Sequence, residues 1–468
     1  MLHTVDYVRS QSSLLFTWIL ALTAQFDHGS VGIAKRLRLH GERLSRHVYT
    51  CGHKSVAIIQ GYYISLLSAT PAKTLSEERS WLYTMYAFGV AAELGLDQGP
   101  RLHPYHSAAN PYSSNEDPIH LQRLARNRER TWLRILLWER ANSAARGRIN
   151  AFPEIEQVCN IESWWMHPLA DSTDKHTCAF ILLRCHLASA HAELRRQVVV
   201  PHADPHWVRE LINRALEPWQ ETWLPPSEMT LRSSERLANL YLYYVYIHNR
   251  LWIFSFALYA SVNGNSDLSA IREDCFEAAL HCCEVAVRDL QEIGEPLYCM
   301  LAPTWAMISY AAVLALRIFP CLHGSRQGYE TELLALLGKL ALQLERAGST
   351  PSHRLGIAAL LGQHLLMILR TKAAGLMDAV PTATESQTAL VYNHNNTNIS
   401  LEHQASANAT VNTDTKDMPS DTRVYDPLLS TYDPFLTTAM AGAENDLTGE
   451  GFTGLFREIF GPSFGDAF

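Results

Sequence analysis

An arginine-rich stretch, RNRERTWLRILLWERANSAARGR (residues 126–148), carries the side chains of this sequence best suited to binding an anion. Clustered guanidinium groups bind nucleic-acid phosphates, and they also pair with buried carboxylates. Six of the seven residues 132–138 are apolar, so a helix here is apolar nearly all round. Such a helix is predicted to lie in the core. Glu139 and Arg140 project into its apolar arc, where charges must be paired.

The other charges of this stretch are expected at the ends of the helix and on a remaining strip of surface. Arg128, Arg130 and Arg134 fit such positions. Gly147, just before Arg148, is expected to end the helix in the left-handed conformation. The net charge of the chain is −8, which gives no overall attraction to nucleic acid. We therefore interpret the arginines as structural.

Catalytic motifs are not found in the sequence. It has no H-E-x-x-H, G-x-S-x-G, Walker or protein-kinase pattern, so an enzyme is not expected. A G-x-G-x-x-G spacing at 449–454 lacks the strand and long helix of a dinucleotide site. The histidines and aspartate of HADPH, residues 202–206, are not followed by further ligands. No metal or cofactor site is predicted in this chain.

The nine cysteines are scattered and mostly lie among apolar residues, as is typical of reduced, buried thiols. No Cys-x-x-Cys pair occurs, which argues against zinc-ribbon, zinc-finger and thioredoxin-type sites. Cys178 and Cys185 are seven residues apart, and so are Cys275 and Cys282. On a helix this spacing places both members of a pair on one face, so core packing is expected.

The elements that position these residues are predicted to be helices throughout residues 1–372. Apolar residues recur there at three- and four-residue spacing, and Pro or Gly interrupts the pattern at the joins. The fold class is therefore predicted to be all-α. Helices are predicted over residues 13–26, 53–68, 77–95, 127–147, 173–198, 205–222, 231–261, 270–292, 302–318, 328–346 and 353–371.

The segment SSLLFTWILALTAQF, residues 12–26, is the most apolar near the start and is too short to span a bilayer. It fits a buried first helix capped by Ser12 or Ser13. The alternative is a secretion signal with a mature N-terminus at Gln25. Cysteine usage favours the buried helix.

The composition changes beyond residue 372. Residues 373–424 are rich in small and polar residues and are predicted to be a disordered linker. Residues 425–468 carry seven acidic side chains against one basic, with eight aromatics. They are predicted to bind a coactivator groove as an acidic activation segment, the alternative being a helix that docks on its own core. One predicted helix face presents Phe452, Leu455, Phe456, Ile459 and Phe460.

Four blocks resemble, in order, the fungal-specific transcription factor domain, also called the middle homology region of zinc binuclear cluster (Zn2Cys6) regulators. They are KSVAIIQGYYISLLSATP, WLYTMYAFGVAAELGL, ERTWLRILLWERANSAARGR and WWMHPLADSTDKHTCAFILLR, within residues 54–184. Two of the blocks lean toward relatives of the leucine-biosynthesis regulator. The structural signature positions are Gly95, Trp132, Glu139, Arg140, Gly147 and Arg148.

The resemblance implies an all-α regulatory domain over residues 1–372, a nuclear location and control of RNA polymerase II transcription. It implies coactivators, a small-molecule effector and a second copy of the chain as partners, and no membrane. The family's six-cysteine zinc cluster is not in this sequence. DNA contact, and any zinc cofactor, are thus expected only in an upstream or partner module. The alternative hypothesis is an α-helical small-molecule-binding protein or enzyme without a recognisable motif.

Overall fold

A computed structural model describes residues 2–67, 80–97, 117–145, 161–198, 205–224, 233–260, 269–288, 300, 302–322, 327–354 and 356–378. Every regular element in these ranges is a helix, so the predicted all-α class is confirmed there. The predicted linker lies outside the described residues except for 373–378. The predicted activation segment, 425–468, lies wholly outside them.

The described residues form thirteen α-helices and three short 3-10 helices. The α-helices are α1 Val5–Gln11, α2 Ser13–Ala24, α3 Val31–Cys51, α4 Val56–Leu67, α5 Ser80–Glu93, α6 Pro118–Ala145, α7 Ser172–Val198, α8 Pro205–Trp223, α9 Ser233–Ala260, α10 Ser269–Val287, α11 Ala302–Ile318, α12 Gln327–Ser349 and α13 Ile357–Asp378. The 3-10 helices are His28–Ser30, Ile161–Met166 and Phe319–Cys321.

Helix α2 is the predicted buried first helix. The Ser12 side chain caps it by accepting a hydrogen bond from the Leu15 N–H at 3.2 Å. Trp18 is buried and donates its indole N–H to Ser45 Oγ of α3 at 3.0 Å. A Cβ at Gly41 would lie 2.8 Å from the Trp18 ring. The absence of a side chain at Gly41 therefore lets α3 approach α2 closely.

Helix α3 is absent from the predicted set, although it is 21 residues long. Its buried positions are occupied mostly by small residues: Ala34, Gly41, Ser45 and Val48. Apolar periodicity is read mainly from large side chains, so this face gives a weak signal. Small residues in a buried stripe indicate close helix packing. The sequence-based prediction did not include this pattern, and α3 was therefore missed.

Helix α6 begins at Pro118, nine residues before the predicted start at residue 127. Asp117 Oδ1 accepts a hydrogen bond from the Ile119 N–H at 3.0 Å. Pro118 then occupies the first helical position, where its missing N–H would have no partner in any case. The Asp-Pro dipeptide thus starts a longer helix than its apolar residues indicate.

Helices α12 and α13 pack closely at the end of the described chain. A Cβ at Gly362 would lie 2.5 Å from both the Ala341 carbonyl oxygen and the Glu345 nitrogen. Helix α13 continues to Asp378, six residues beyond the predicted domain boundary at residue 372. Residues 372–377, KAAGLM, are mostly good helix formers, which explains this extension.

The cysteine pairs pack in the core as predicted. Cys178, Cys275 and Cys282 have no exposed surface, and Cys185 is partly buried. Burial raises the pKa of the Cys178 thiol to about 11. Such thiols stay protonated at neutral pH and are poor nucleophiles.

The segment Thr304–Cys321 is long and apolar enough to cross a membrane by length and composition alone. Its mean hydropathy is 1.4, but 61% of it is buried inside the protein. It covers most of α11, whose buried residues belong to the hydrophobic core, and the short helix after it, which has no buried residue. Burial against other helices accounts for its composition.

Candidate functional site

One side of α6 carries an ion network centred on Asp174, near the start of α7. The Asp174 side chain is only 1% exposed. Arg130 Nε donates to its Oδ1 at 2.7 Å, and Arg130 Nη2 donates to its Oδ2 at 2.8 Å. Arg126 Nη2 donates to Oδ2 at 3.1 Å. One buried carboxylate therefore holds two guanidinium groups.

Arg126 makes further contacts that balance its charge. Its side chain is 4% exposed and stacks on the Trp164 ring, with the guanidinium carbon 3.4 Å from the ring centroid. It donates to the Trp164 carbonyl at 2.6 Å and to Glu129 Oε2 at 3.1 Å. Glu129 Oε2 also accepts from the Trp164 indole N–H at 2.9 Å. Asp171 Oδ2 lies 3.4 Å from Arg130 Nη2, so the two arginines are paired with three carboxylates.

Helix α6 also bonds to the two helices that precede it. Gln60 Nε2 of α4 donates to Asn127 Oδ1 and to Thr131 Oγ1, each at 2.9 Å. Arg128 Nη2 donates to the Leu94 carbonyl, just after α5, at 2.7 Å. Side chains of α6 therefore bond to residues from each of the other three blocks that resemble the fungal domain.

Gly95 follows Leu94, whose carbonyl accepts the hydrogen bond from Arg128. Its φ is 63°, in the left-handed region that favours glycine. The chain turns there because Gly95 N–H donates to the Ala92 carbonyl and Leu96 N–H to that of Ala91, at 2.9 and 3.0 Å. This signature position therefore ends α5 and leaves the Leu94 carbonyl available to α6.

The structure places two more predicted signature residues in the core. Trp132 is 1% exposed and packs against Phe88, with ring centroids 4.8 Å apart. Glu139 is fully buried, as predicted. The Arg140 side chain, and both Gly147 and Arg148, lie outside what the structure describes. The coactivator-binding positions Phe452, Leu455, Phe456, Ile459 and Phe460 also lie outside it.

The expected exposed strip of α6 requires correction. Arg128, Arg130 and Arg134 are partly buried, and Arg134 Nη2 donates to Thr173 Oγ1 at 3.1 Å. Helix α7 and the Ile161–Met166 turn pack beside each other and supply the partners on this side of α6. The sequence signal was the acidic DSTD stretch, but its pairing with arginines more than 40 residues earlier is a tertiary contact.

A second polar cluster lies between α7 and α9. Arg184 of α7 forms no hydrogen bond or ion pair with another residue in the part of the chain that the structure describes. Burial lowers the pKa of its guanidinium. The positive charge of Arg184 lowers the pKa of both Tyr241 and His248 relative to burial alone. These two residues lie seven positions apart on one face of α9. Thr304 of α11 donates its hydroxyl to Tyr241 Oη at 3.2 Å.

His248 is 7% exposed and neutral at ordinary pH, because burial and the Arg184 charge lower its pKa to about 3. Its ring lies against Tyr310, with centroids 5.6 Å apart. A guanidinium, a phenol and a neutral imidazole together offer the donors that a small carboxylate or phosphate requires. Sequence patterns do not reveal this cluster, since its members come from separate helices.

No family model matches the chain, and no solved structure matches it. The chain is similar to protein priB from Lentinula edodes. The two are 25% identical over 289 residues, which cover 61% of this chain and 45% of that protein. The chain thus spans less than half the length of this fungal relative.

Proposed function

We propose that the described helices form the regulatory domain of a fungal transcription regulator that acts on RNA polymerase II in the nucleus. The observation that carries this proposal is the set of contacts made by α6. The third of the blocks that resemble the fungal-specific transcription factor domain contacts the other three: Thr131 accepts a hydrogen bond from Gln60, Trp132 packs against Phe88, and Arg130 donates to Asp174. Residues that carry the resemblance are thus the residues that hold one folded unit together. Similarity to a fungal protein is weak, independent support.

The positions of the arginines support the proposal that DNA contact belongs to another module. Arg126 and Arg130 are taken up by Asp174, and Arg128 by a backbone carbonyl. A side chain that reads DNA must be free to reach phosphates or base edges. In this proposal α6 therefore does not touch the duplex. A zinc cluster upstream of the domain, or a partner protein, makes the contact with DNA.

The acidic segment 425–468 is the part that we propose recruits coactivators, with the regulatory domain masking it until an effector or partner binds. Its apolar residues recur at helical spacing and its acidic residues suit a basic groove rim. Two glycines, Gly451 and Gly454, weaken the helix by about 1 kcal/mol each, so it completes itself on the partner.

Fusion of 425–468 to a foreign DNA-binding domain is expected to activate a reporter gene. Replacing Phe456 and Phe460 with Ala should abolish activation, because both lie on the predicted apolar stripe. Replacing Phe464 and Phe468 with Ala is the matched control and should have little effect. An inert fusion would contradict the activation role. A fusion of the whole chain that is as active as the segment would contradict masking.

A second candidate function, binding of a small anion, is favoured by Arg184. A partly buried cation without a carboxylate partner is costly, and a bound anion would remove that cost. The candidate differs from the first in requiring no DNA and no coactivator. The two are also compatible, because the anion could be the effector of the regulatory domain.

Small carboxylates or inorganic phosphate are expected to raise the unfolding temperature of the full chain if they bind at Arg184. Arg184→Met should abolish this rise without lowering the stability of the unliganded protein, because the substitution removes a cation that has no ion-pair partner among the described residues. Arg209→Met, at an exposed ion pair, is the control and should keep the rise. The candidate is wrong if no anion in the panel raises the unfolding temperature, or if Arg184→Met retains the rise.

A further inference from the structure

Two histidines and a cysteine meet at the carboxyl end of α3, in the sequence HVYTCGH. His47 and Cys51 are four residues apart and share one helix face. Gly52 follows with a φ of 64°, and this left-handed residue brings His53 back to the same side. One ligand atom from each of the three residues lies within 4.8 Å of the others. All three side chains are exposed.

The distances between these atoms suit a tetrahedral metal ion. Cys51 Sγ is 3.7 Å from His47 Nδ1 and 3.8 Å from His47 Nε2. A tetrahedral zinc ion with ordinary bond lengths places its sulfur and nitrogen ligands about 3.6 Å apart. The sulfur–nitrogen distance is therefore already close to the one that zinc requires.

The backbone of the cluster is held before any ion binds. Gly52 N–H donates to the Tyr49 carbonyl and His53 N–H to the Val48 carbonyl, each at 3.2 Å. Tyr86 of α5 donates its hydroxyl to the His53 carbonyl at 3.3 Å. A fixed backbone reduces the ordering that metal binding would otherwise require.

One positive charge beside the cluster, that of Lys54, is balanced within the protein. Lys54, the residue after His53, forms an ion pair with Glu93 of α5. The positive charge next to the cluster is thereby balanced by a carboxylate. The Cys51 thiol would lose its proton on coordination, so the bound ion would gain a negative ligand.

We propose that His47, Cys51 and His53 bind a zinc ion, with a fourth position open to water or to a donor from a partner protein. One thiolate and two imidazoles are ligands that zinc prefers and that magnesium and calcium do not. The site shares no residue or spacing with a six-cysteine cluster. It stands independently of the proposed role in transcription. The sequence predicts no metal here, because it contains neither paired cysteines nor a known metal-binding catalytic motif.

The test uses the untagged, reduced and metal-free full chain, titrated with zinc against a chromophoric chelator. One equivalent of zinc is expected to bind. Cys51→Ser should abolish this binding, and His47→Gln or His53→Gln should weaken it at least about tenfold, the effect of losing 1.4 kcal/mol. Cys321→Ser and His40→Gln remove exposed residues elsewhere and should leave the binding unchanged.

Cobalt provides a second, spectroscopic readout. Cobalt(II) bound at the site should give a thiolate-to-metal charge-transfer band and the visible bands of tetrahedral coordination. Both should disappear in Cys51→Ser, whose folding is checked by circular dichroism. The proposal is overturned if the chain binds no zinc, or if Cys51→Ser binds zinc as tightly as the unaltered chain.

Discussion

Replacing Asp174 with Asn is expected to destabilise the protein by about 3–5 kcal/mol, the usual cost of breaking a buried ion pair. The Asp174 carboxylate accepts hydrogen bonds from Arg126 and from two nitrogens of Arg130. Asparagine has nearly the same shape but no charge, so two guanidinium groups would lose the carboxylate that they share. The urea midpoint of the full chain, followed by circular dichroism, measures the loss.

The matched control is Asp274→Asn. Asp274 binds Arg209 through two hydrogen bonds of 2.6 and 3.0 Å, a geometry much like that of Arg130 with Asp174. The Arg209 side chain is 48% exposed, however, and exposed pairs contribute about 0–1 kcal/mol. The importance of burial would be refuted if Asp174→Asn cost no more than Asp274→Asn.

Combining Asp174→Asn with Arg130→Met tests whether these charges act as one unit. Each single substitution leaves the direct partner of the lost charge behind in the network. The double variant removes one charge of each sign, so its cost should be clearly smaller than the sum of the two single costs. Simple additivity would show that Asp174 and Arg130 contribute independently.

Replacing Gly362 with Ala is expected to destabilise the protein by about 1–3 kcal/mol, the range observed for overpacking. The added Cβ would lie 2.5 Å from backbone atoms of Ala341 and Glu345 in α12. Backbone cannot rotate away as a side chain can, so α12 and α13 would have to separate. Their interface is among the most extensive in the described chain, and separation would expose Leu344 and Leu365, which are fully buried.

Gly338→Ala, in the same helix pair, is expected to have the opposite sign. Nothing lies within 4 Å of a Cβ at Gly338 of α12. Alanine favours a helix over glycine by about 1 kcal/mol, so this variant should be slightly more stable. Thermal unfolding of both variants gives the comparison. If both substitutions stabilise the protein, the close contact between α12 and α13 is wrong.

The elements that sequence predicted well are those with large apolar side chains at regular spacing. Helix α9, predicted over 231–261, spans Ser233–Ala260, and Trp132 and Glu139 lie buried as expected. Each of these features depends on neighbours within a few residues, so local rules are sufficient.

The features that sequence did not predict depend on distant neighbours. Helix α3 packs through small residues, whose burial has meaning only once Trp18 lies above Gly41. The ion network joins Arg126 to Asp174, 48 residues later. His47, Cys51 and His53 are close in sequence, but their convergence requires the positive φ of Gly52. A pattern of residue types does not specify which side chains pair across helices. Nor does it specify which residue takes a positive φ.

The ion network also sets an order for protein synthesis. Arg126 and Arg130 leave the ribosome 48 and 44 residues before Asp174, the carboxylate that they share. Until α7 emerges, both guanidinium groups must stay hydrated. That side of α6 therefore cannot exclude water and pack against its neighbours. A nascent chain that stops before residue 174 is therefore expected to remain a substrate for chaperones, however complete its first six helices are.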